Sequence, residues 1–175
     1  MEVTVPLRLE GTASMLAENY SRQVSILLVE DNEDDVLLTL RAFKKNTVEL
    51  EEVVVVRDGA DALDYLFTRG PYEQRNQAIM PKLILLDIKL PKLSGLELLR
   101  AVRSDPRTRL IPVVMLTSSA AEQDLMSSYG AGANGYIQKP VNTRQFEETV
   151  QQVVNYWLGV NRAPGSIGES LHAGC

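Results

Sequence analysis

Glu30 and Asp31 stand side by side, and Asp87, Thr117 and Lys139 follow at long intervals. If folding brings the five into one crevice, three carboxylates meet there and repel one another unless a cation neutralises them. Oxygen ligands with room for water suit Mg²⁺, or Mn²⁺ in its place, because both favour hard donors. Lys139 adds a second positive charge and Thr117 a hydroxyl donor. A metal, a lysine and a hydroxyl around one carboxylate make a site for a phosphoryl group. The cations offset charge on its oxygens while Asp87 attacks phosphorus as nucleophile. Taken alone, Asp87 reads as an ordinary turn or capping aspartate. Only its company favours chemistry.

Five strands must position these residues. Leu83, Ile84, Leu85 and Leu86 form a continuous apolar run closed by Asp87, as in a strand buried on both faces. Val24–Val29 is a second such run, ending in Glu30-Asp31-Asn32-Glu33-Asp34-Asp35. Helix-dipole charge accounts for Asp34 and Asp35 at the start of a helix over 34–45, but not for Glu30 and Asp31 at the strand end. Val53–Val56, Pro112–Thr117 and Tyr136–Lys139 are the remaining strands. Helices are expected over 60–67, from the Ser94 capping box with Glu97 to Pro106, over 121–129 and over 142–158, with a polar loop over 71–81. The order is (βα) five times, which implies an α/β fold with a parallel five-stranded sheet covered by helices on both faces. Polar residues at the strand ends then converge. Residues 1–22 read as an extension, 23–158 as the domain, and 159–175 as a Gly-, Pro- and Ser-rich tail.

Composition narrows the classes. At 175 residues, 45% of them hydrophobic, the chain fits one domain with a sizeable core. A net charge of −5 argues against nucleic acid, which needs a basic face. The one cysteine, Cys175, precludes an internal disulfide, argues against a structural zinc cluster and fits a reducing cytoplasm. No run of ~18 apolar residues spans a membrane, and residues 1–23 lack the apolar core of a signal peptide.

At this point the sequence resembles the CheY-like receiver domains of two-component response regulators, over about Ser21 to Leu158. The resemblance rests on Glu30-Asp31, Asp87 followed by Leu90-Pro91 and Gly95, Leu116-Thr117-Ser118, and Tyr136 with Lys139-Pro140. It implies a flavodoxin-like doubly wound sheet of order 2-1-3-4-5. It further implies that Asp87 is phosphorylated from a phosphohistidine of a sensor histidine kinase. Mg²⁺ would be held by Glu30, Asp31, Asp87 and the Lys89 carbonyl. Thr117 and Lys139 would grip the phosphoryl group, Thr117 and Tyr136 would form the switch, and the Lys139–Pro140 bond would be cis. Such a protein is a signalling phosphoacceptor rather than an enzyme. It promotes only its own phosphorylation and dephosphorylation. A Glu-Asp pair replaces the commoner Asp-Asp, so Glu30 is expected to act through water. Five stretches, ALDYLFTRGPYEQR, LILLDIKLPKLSGLELLR, RTRLIPVVMLTSS, SYGAGANGYIQKPV and NYWLGVN, are also similar to the small response regulators that serve cyanobacterial phytochromes.

Rival readings fit less well. A phosphorelay intermediate would use the same site. An aspartate-nucleophile phosphatase of the haloacid dehalogenase type needs a second aspartate where Lys89 stands. A flavodoxin needs a phosphate loop where residues 30–35 are acidic. A DNA-binding regulator needs a second domain after Leu158. A homodimer is expected on the face of the fourth helix, fifth strand and fifth helix. In the last helix Phe146, Val150, Val153 and Trp157 form one stripe, and Val154, Tyr156 and Leu158 widen the apolar arc to roughly 200°, against the ~100° a surface helix needs. Excess apolar surface marks an interface, and Tyr136 adjoins it on the neighbouring strand.

Overall fold

The computed structural model describes residues 24–45 and 52–162. The expected extension over 1–22 and most of the expected tail lie outside them. Five strands, β1 (Ile26–Val29), β2 (Val53–Val56), β3 (Leu83–Leu86), β4 (Val113–Thr117) and β5 (Gly135–Gln138), form one parallel sheet of order β2-β1-β3-β4-β5. Between and after them run α1 (Glu33–Lys44), α2 (Gly59–Leu66), α3 (Gly95–Ser104), α4 (Glu122–Gly130) and α5 (Thr143–Val154). The register aligns Leu28 with Val55 on one side and with Leu85 on the other.

Side chains alternate across a strand, so the apolar runs feed two cores. Leu27, Val29, Ile84, Leu86, Val113 and Met115 pack against α2 and α3 through Ala62, Leu66, Leu98, Leu99 and Val102. Ile26, Leu28, Leu83, Leu85, Val114 and Leu116 pack against α1 and α5 through Val36, Phe43, Phe146, Val150 and Val154. Because both faces are covered, the central strands carry no polar alternation. Truncating one of these leucines to alanine costs ~2–5 kcal/mol.

Local chemistry sets the helix starts. The Asn32 side chain accepts the Asp35 N–H at 3.0 Å. Ser94 and Glu97 form the expected capping box. The Asn142 side chain accepts from the N–H groups of Arg144 and Gln145. The segment between α2 and β3 is more ordered than its polar composition implies. The Arg75 guanidinium lies 4.3 Å over the Tyr65 ring, and its Nε donates to the Tyr65 carbonyl at 3.1 Å. Tyr72 meets Tyr65 edge-on at 5.2 Å and donates to Asp61 at 3.0 Å.

Two expectations are corrected here. The Lys139–Pro140 bond is trans, and no peptide bond among the described residues is cis. Trans is favoured by about 0.5–1 kcal/mol at an X–Pro bond, and no geometry here reverses that. The last helix is also not one α-helix to residue 158. α5 ends at Val154 and continues as wider, π-helical turns over Asn155–Val160. The buried stripe is Phe146, Val150 and Val154, spaced by four, so Val154 is core, 2% exposed, and not part of an outer arc. Val153, Trp157 and Leu158 are half-buried against that core, and Tyr156 is the exposed member, at 51%.

Candidate functional site

The sheet's own hydrogen bonds deliver the site. Glu30 N–H donates to the Val56 carbonyl at 3.1 Å and Asp87 N–H to the Val29 carbonyl at 3.0 Å. Lys139 N–H donates to the Thr117 carbonyl at 2.7 Å. Each residue therefore extends a ladder one step past its strand, and the carboxyl ends of β1, β3, β4 and β5 meet. Glu30, Asp87 and Thr117 are buried there, while Asp31 faces solvent.

The Lys139 ammonium is the hub. It donates to Glu30 Oε2 at 2.5 Å and to Asp35 Oδ2 at 2.7 Å, and Asp87 Oδ2 lies 3.9 Å away. Glu30 Oε1 accepts the Asn32 N–H at 3.1 Å, and Asp87 Oδ1 accepts the Ile88 N–H at 2.8 Å. Burial pushes the Glu30 carboxyl up to about 7, against the pull of Lys139 and with help from the charge of Asp87. Burial works against the Lys139 ammonium too. The hydrogen bonds to Asp35 and Glu30 outweigh it and hold this lysine above its ordinary range.

The donor set fits a divalent cation. Glu30, Asp31 and Asp87 each offer a carboxylate oxygen within 4.8 Å of the others. All are hard oxygen donors, which suits Mg²⁺ or Mn²⁺, and the exposure of Asp31 leaves a way in. Thr117 Oγ1 accepts the Ser119 N–H at 3.3 Å, and the Tyr136 hydroxyl donates to the Ser119 carbonyl at 3.0 Å. Tyr136 is thus tied to the loop that follows Thr117, and burial raises its phenol.

The loop after β3 is held by close contacts. A Cβ on Gly95 would lie 2.0 Å from the Asp87 carbonyl oxygen, so only glycine lets α3 start this close to the Asp87 backbone. Lys92 takes a left-handed φ of 63° and its Nζ donates to Asp58 Oδ2 at 2.6 Å. Lys89 is exposed on the same loop, and Pro140 is half-buried after Lys139.

The structure thus brings together Glu30, Asp31, Asp87, Thr117 and Lys139. Sequence reasoning missed Asp35, because a carboxylate in the first turn of a helix already has the dipole as its explanation. It also missed the Asp58–Lys92 pair, which joins two loops no local pattern connects. The surplus of carboxylates over the one lysine at the strand ends was the available signal for Asp35.

Comparison with known proteins agrees with this geometry. The family model described as "Response regulator receiver domain" matches residues 26–151. The chain is 39% identical over 140 residues to the "Probable methanogenesis regulatory protein FilR2" of Methanothrix harundinacea, covering 80% of this chain and 87% of that protein. It is 37% identical over 141 residues to the "Response regulator Rcp1" of Synechocystis sp., covering 81% of this chain and 93% of that protein. Rcp1 is known in an Mn²⁺-bound form, which this chain matches with a TM-score of 0.74 over 81% of its length and 99% of Rcp1's. The phosphorylated cyanobacterial phytochrome response regulator RcpA matches with a TM-score of 0.75 and 40% identity, over 82% of this chain and 99% of RcpA. Among the described residues, no helix is long and apolar enough to cross a membrane.

Proposed function

The chain belongs to the response regulator receiver domain family, and on that premise we propose that Asp87 is its phosphoacceptor, charged by a sensor histidine kinase of the phytochrome type. The observation that carries this reading is the buried Asp87 carboxylate, with the Lys139 ammonium 3.9 Å from Oδ2 and Glu30 and Asp31 beside it. The phytochrome assignment rests on the likeness to RcpA.

The chemistry follows from the residues. Asp87 Oδ1 accepts the Ile88 N–H, and Oδ2, the oxygen that the Lys139 ammonium approaches to 3.9 Å, is the better placed to attack. Oδ2 forms a bond to phosphorus as the phosphorus–nitrogen bond of the kinase's phosphohistidine breaks, and the freed imidazole takes up a proton. Lys139 and Thr117 then hold the phosphoryl oxygens, the lysine by charge and the threonine as hydroxyl donor. Glu30, Asp31, Asp87 and the Lys89 carbonyl would hold a divalent cation, which would supply the positive charge that an anionic donor needs beside three carboxylates.

Thr117 is also the first part of the switch. Turning its hydroxyl to the phosphoryl group releases the Ser119 N–H, and Ser119 is where Tyr136 is tied. Tyr136 stands on β5 between α4, which exposes Met126 and Tyr129, and α5, whose continuation exposes Tyr156 and Val160, and we take these to form one face. That face is the contact surface for a homodimer, with Trp157 and Leu158 at its margin and Val154 behind it in the core. The test of the assignment is transfer from a phosphorylated phytochrome-type kinase. Wild-type chain should remove label from the kinase and Asp87→Asn should leave it there. Equal transfer to both would refute the site.

A further inference from the structure

The three hydrogens of the Lys139 ammonium are unevenly committed. Two go to carboxylates, Glu30 and Asp35, while Asp87 at 3.9 Å is beyond a hydrogen bond. The two holders differ in what else they can do. Each oxygen of Glu30 accepts one hydrogen bond, Oε1 from the Asn32 N–H and Oε2 from the Lys139 ammonium. Glu30 also belongs to the carboxylate trio that fits a cation, and Asp35 does not. A cation served by Glu30, directly or through water, would draw on the same carboxylate charge as the Lys139 ammonium and would repel it. The Asn32 N–H belongs to the backbone of the α1 cap, so the flexible lysine is the partner that moves. Asp35 faces no such choice. Its own N–H is pinned by the Asn32 side chain at 3.0 Å, and Glu33 and Asp34 beside it are exposed and suffice for the helix dipole. Asp35 alone of that turn reaches into the site.

Building on the reading of Asp87 as phosphoacceptor, we propose that Asp35 is a positioning residue: it keeps the Lys139 ammonium beside Asp87 once Glu30 turns to the cation, so that the lysine is on hand for the phosphoryl oxygens. Without it, an ammonium released by Glu30 swings toward solvent, where it is better hydrated.

The test is a double-mutant cycle in the full chain, with acetyl phosphate as donor and saturating magnesium chloride. Asp35→Asn should slow phosphorylation about tenfold, equivalent to ~1.4 kcal/mol of lost transition-state stabilisation. Asp35→Glu, which keeps the charge, should recover most of the rate. In a Lys139→Met background, Asp35→Asn should change the rate by less than about twofold, the scatter expected of independent sites. Calorimetric titration with magnesium chloride should give Asp35→Asn the wild-type affinity within the same margin, because Asp35 is not a ligand. Nitrogen-15 spectra of the lysine ammonium groups add a readout that a structural role does not move. Lys139 should stay protected from exchange on adding magnesium in the wild type and lose protection in Asp35→Asn. A wild-type rate in Asp35→Asn, an equal loss in the Lys139→Met background, or markedly weaker magnesium binding would each overturn the proposal. A wild-type rate in Lys139→Met would overturn it as well, whereas a wild-type rate in Asp87→Asn would instead bring down the phosphoacceptor site on which it rests.

Discussion

Gly95→Ala should damage both stability and the site, although alanine is the better helix former. A Cβ at this position meets the Asp87 carbonyl oxygen at 2.0 Å, the Asp87 carbonyl carbon at 2.9 Å and Ile88 Cα at 2.9 Å. These are backbone atoms, so no rotamer change relieves the overlap. Inserting a methyl into such a contact costs ~1–3 kcal/mol or more. Removing glycine from a helix returns only ~0.5–1 kcal/mol. The clash wins, and the fold can accommodate it only by pushing α3 away from the Asp87–Lys89 backbone. Gly130 supplies the control. It ends α4 with nothing within 4 Å of its Cβ position, so Gly130→Ala should be neutral or stabilising by up to ~1 kcal/mol. Urea denaturation of the three proteins measures the difference, and calorimetric Mg²⁺ titration reads the site. Gly95→Ala should unfold at lower urea and bind Mg²⁺ more weakly, and Gly130→Ala should do neither. A Gly95→Ala protein as stable as Gly130→Ala would refute the reasoning from close approach.

Other expectations follow from the same contacts. Burial holds the metal-free Glu30 carboxyl at about 7, so its proton must leave before it serves a cation. Mg²⁺ affinity should therefore weaken as pH falls below 7, by at most about tenfold per unit, and a pH-independent affinity between 6 and 8 would contradict this. Arg103 donates to the carbonyls of Arg109, Ile111 and Gly132 and to Asn134 Oδ1, all at the end of the sheet away from Asp87. At roughly 0.5–1.5 kcal/mol per bond, Arg103→Met should cost ~2–6 kcal/mol in urea denaturation and leave the rate of phosphorylation by acetyl phosphate unchanged. Sedimentation should find the full chain dimeric, and Tyr156→Asp or Val160→Asp should make it monomeric. A full chain that stays monomeric at high concentration, phosphorylated or not, would remove the dimer.

The sheet was legible because its three central strands are buried on both faces. Leu83 to Leu86 could be little else, and the runs of β1, β3, β4 and β5 end on the polar residues that meet in the crevice. Helix starts were legible at Ser94 and Asn142, where a side chain caps the helix. What escaped was contact between distant segments. Asp35 and Lys139 are 104 residues apart, and Asp58 and Lys92 are 34 apart. No local pattern ties such pairs together. The last helix escaped for a different reason: the turns widen only after Val154, so a stripe stepped at 100° per residue and drawn through Trp157 left Val154 outside the buried face that it shares with Phe146 and Val150. The cis bond expected before Pro140 came from resemblance alone, with nothing in the residues to require it.

The central claim is that one carboxylate, Asp87, takes the phosphoryl group, and intact-mass spectrometry tests it most directly. Wild-type chain incubated with acetyl phosphate and Mg²⁺ should gain the mass of one phosphoryl group. That gain should vanish in Asp87→Asn and in the wild type treated with chelator. An Asp87→Asn chain that gains the same mass, or a wild-type chain labelled as well in chelator as in Mg²⁺, would contradict the account.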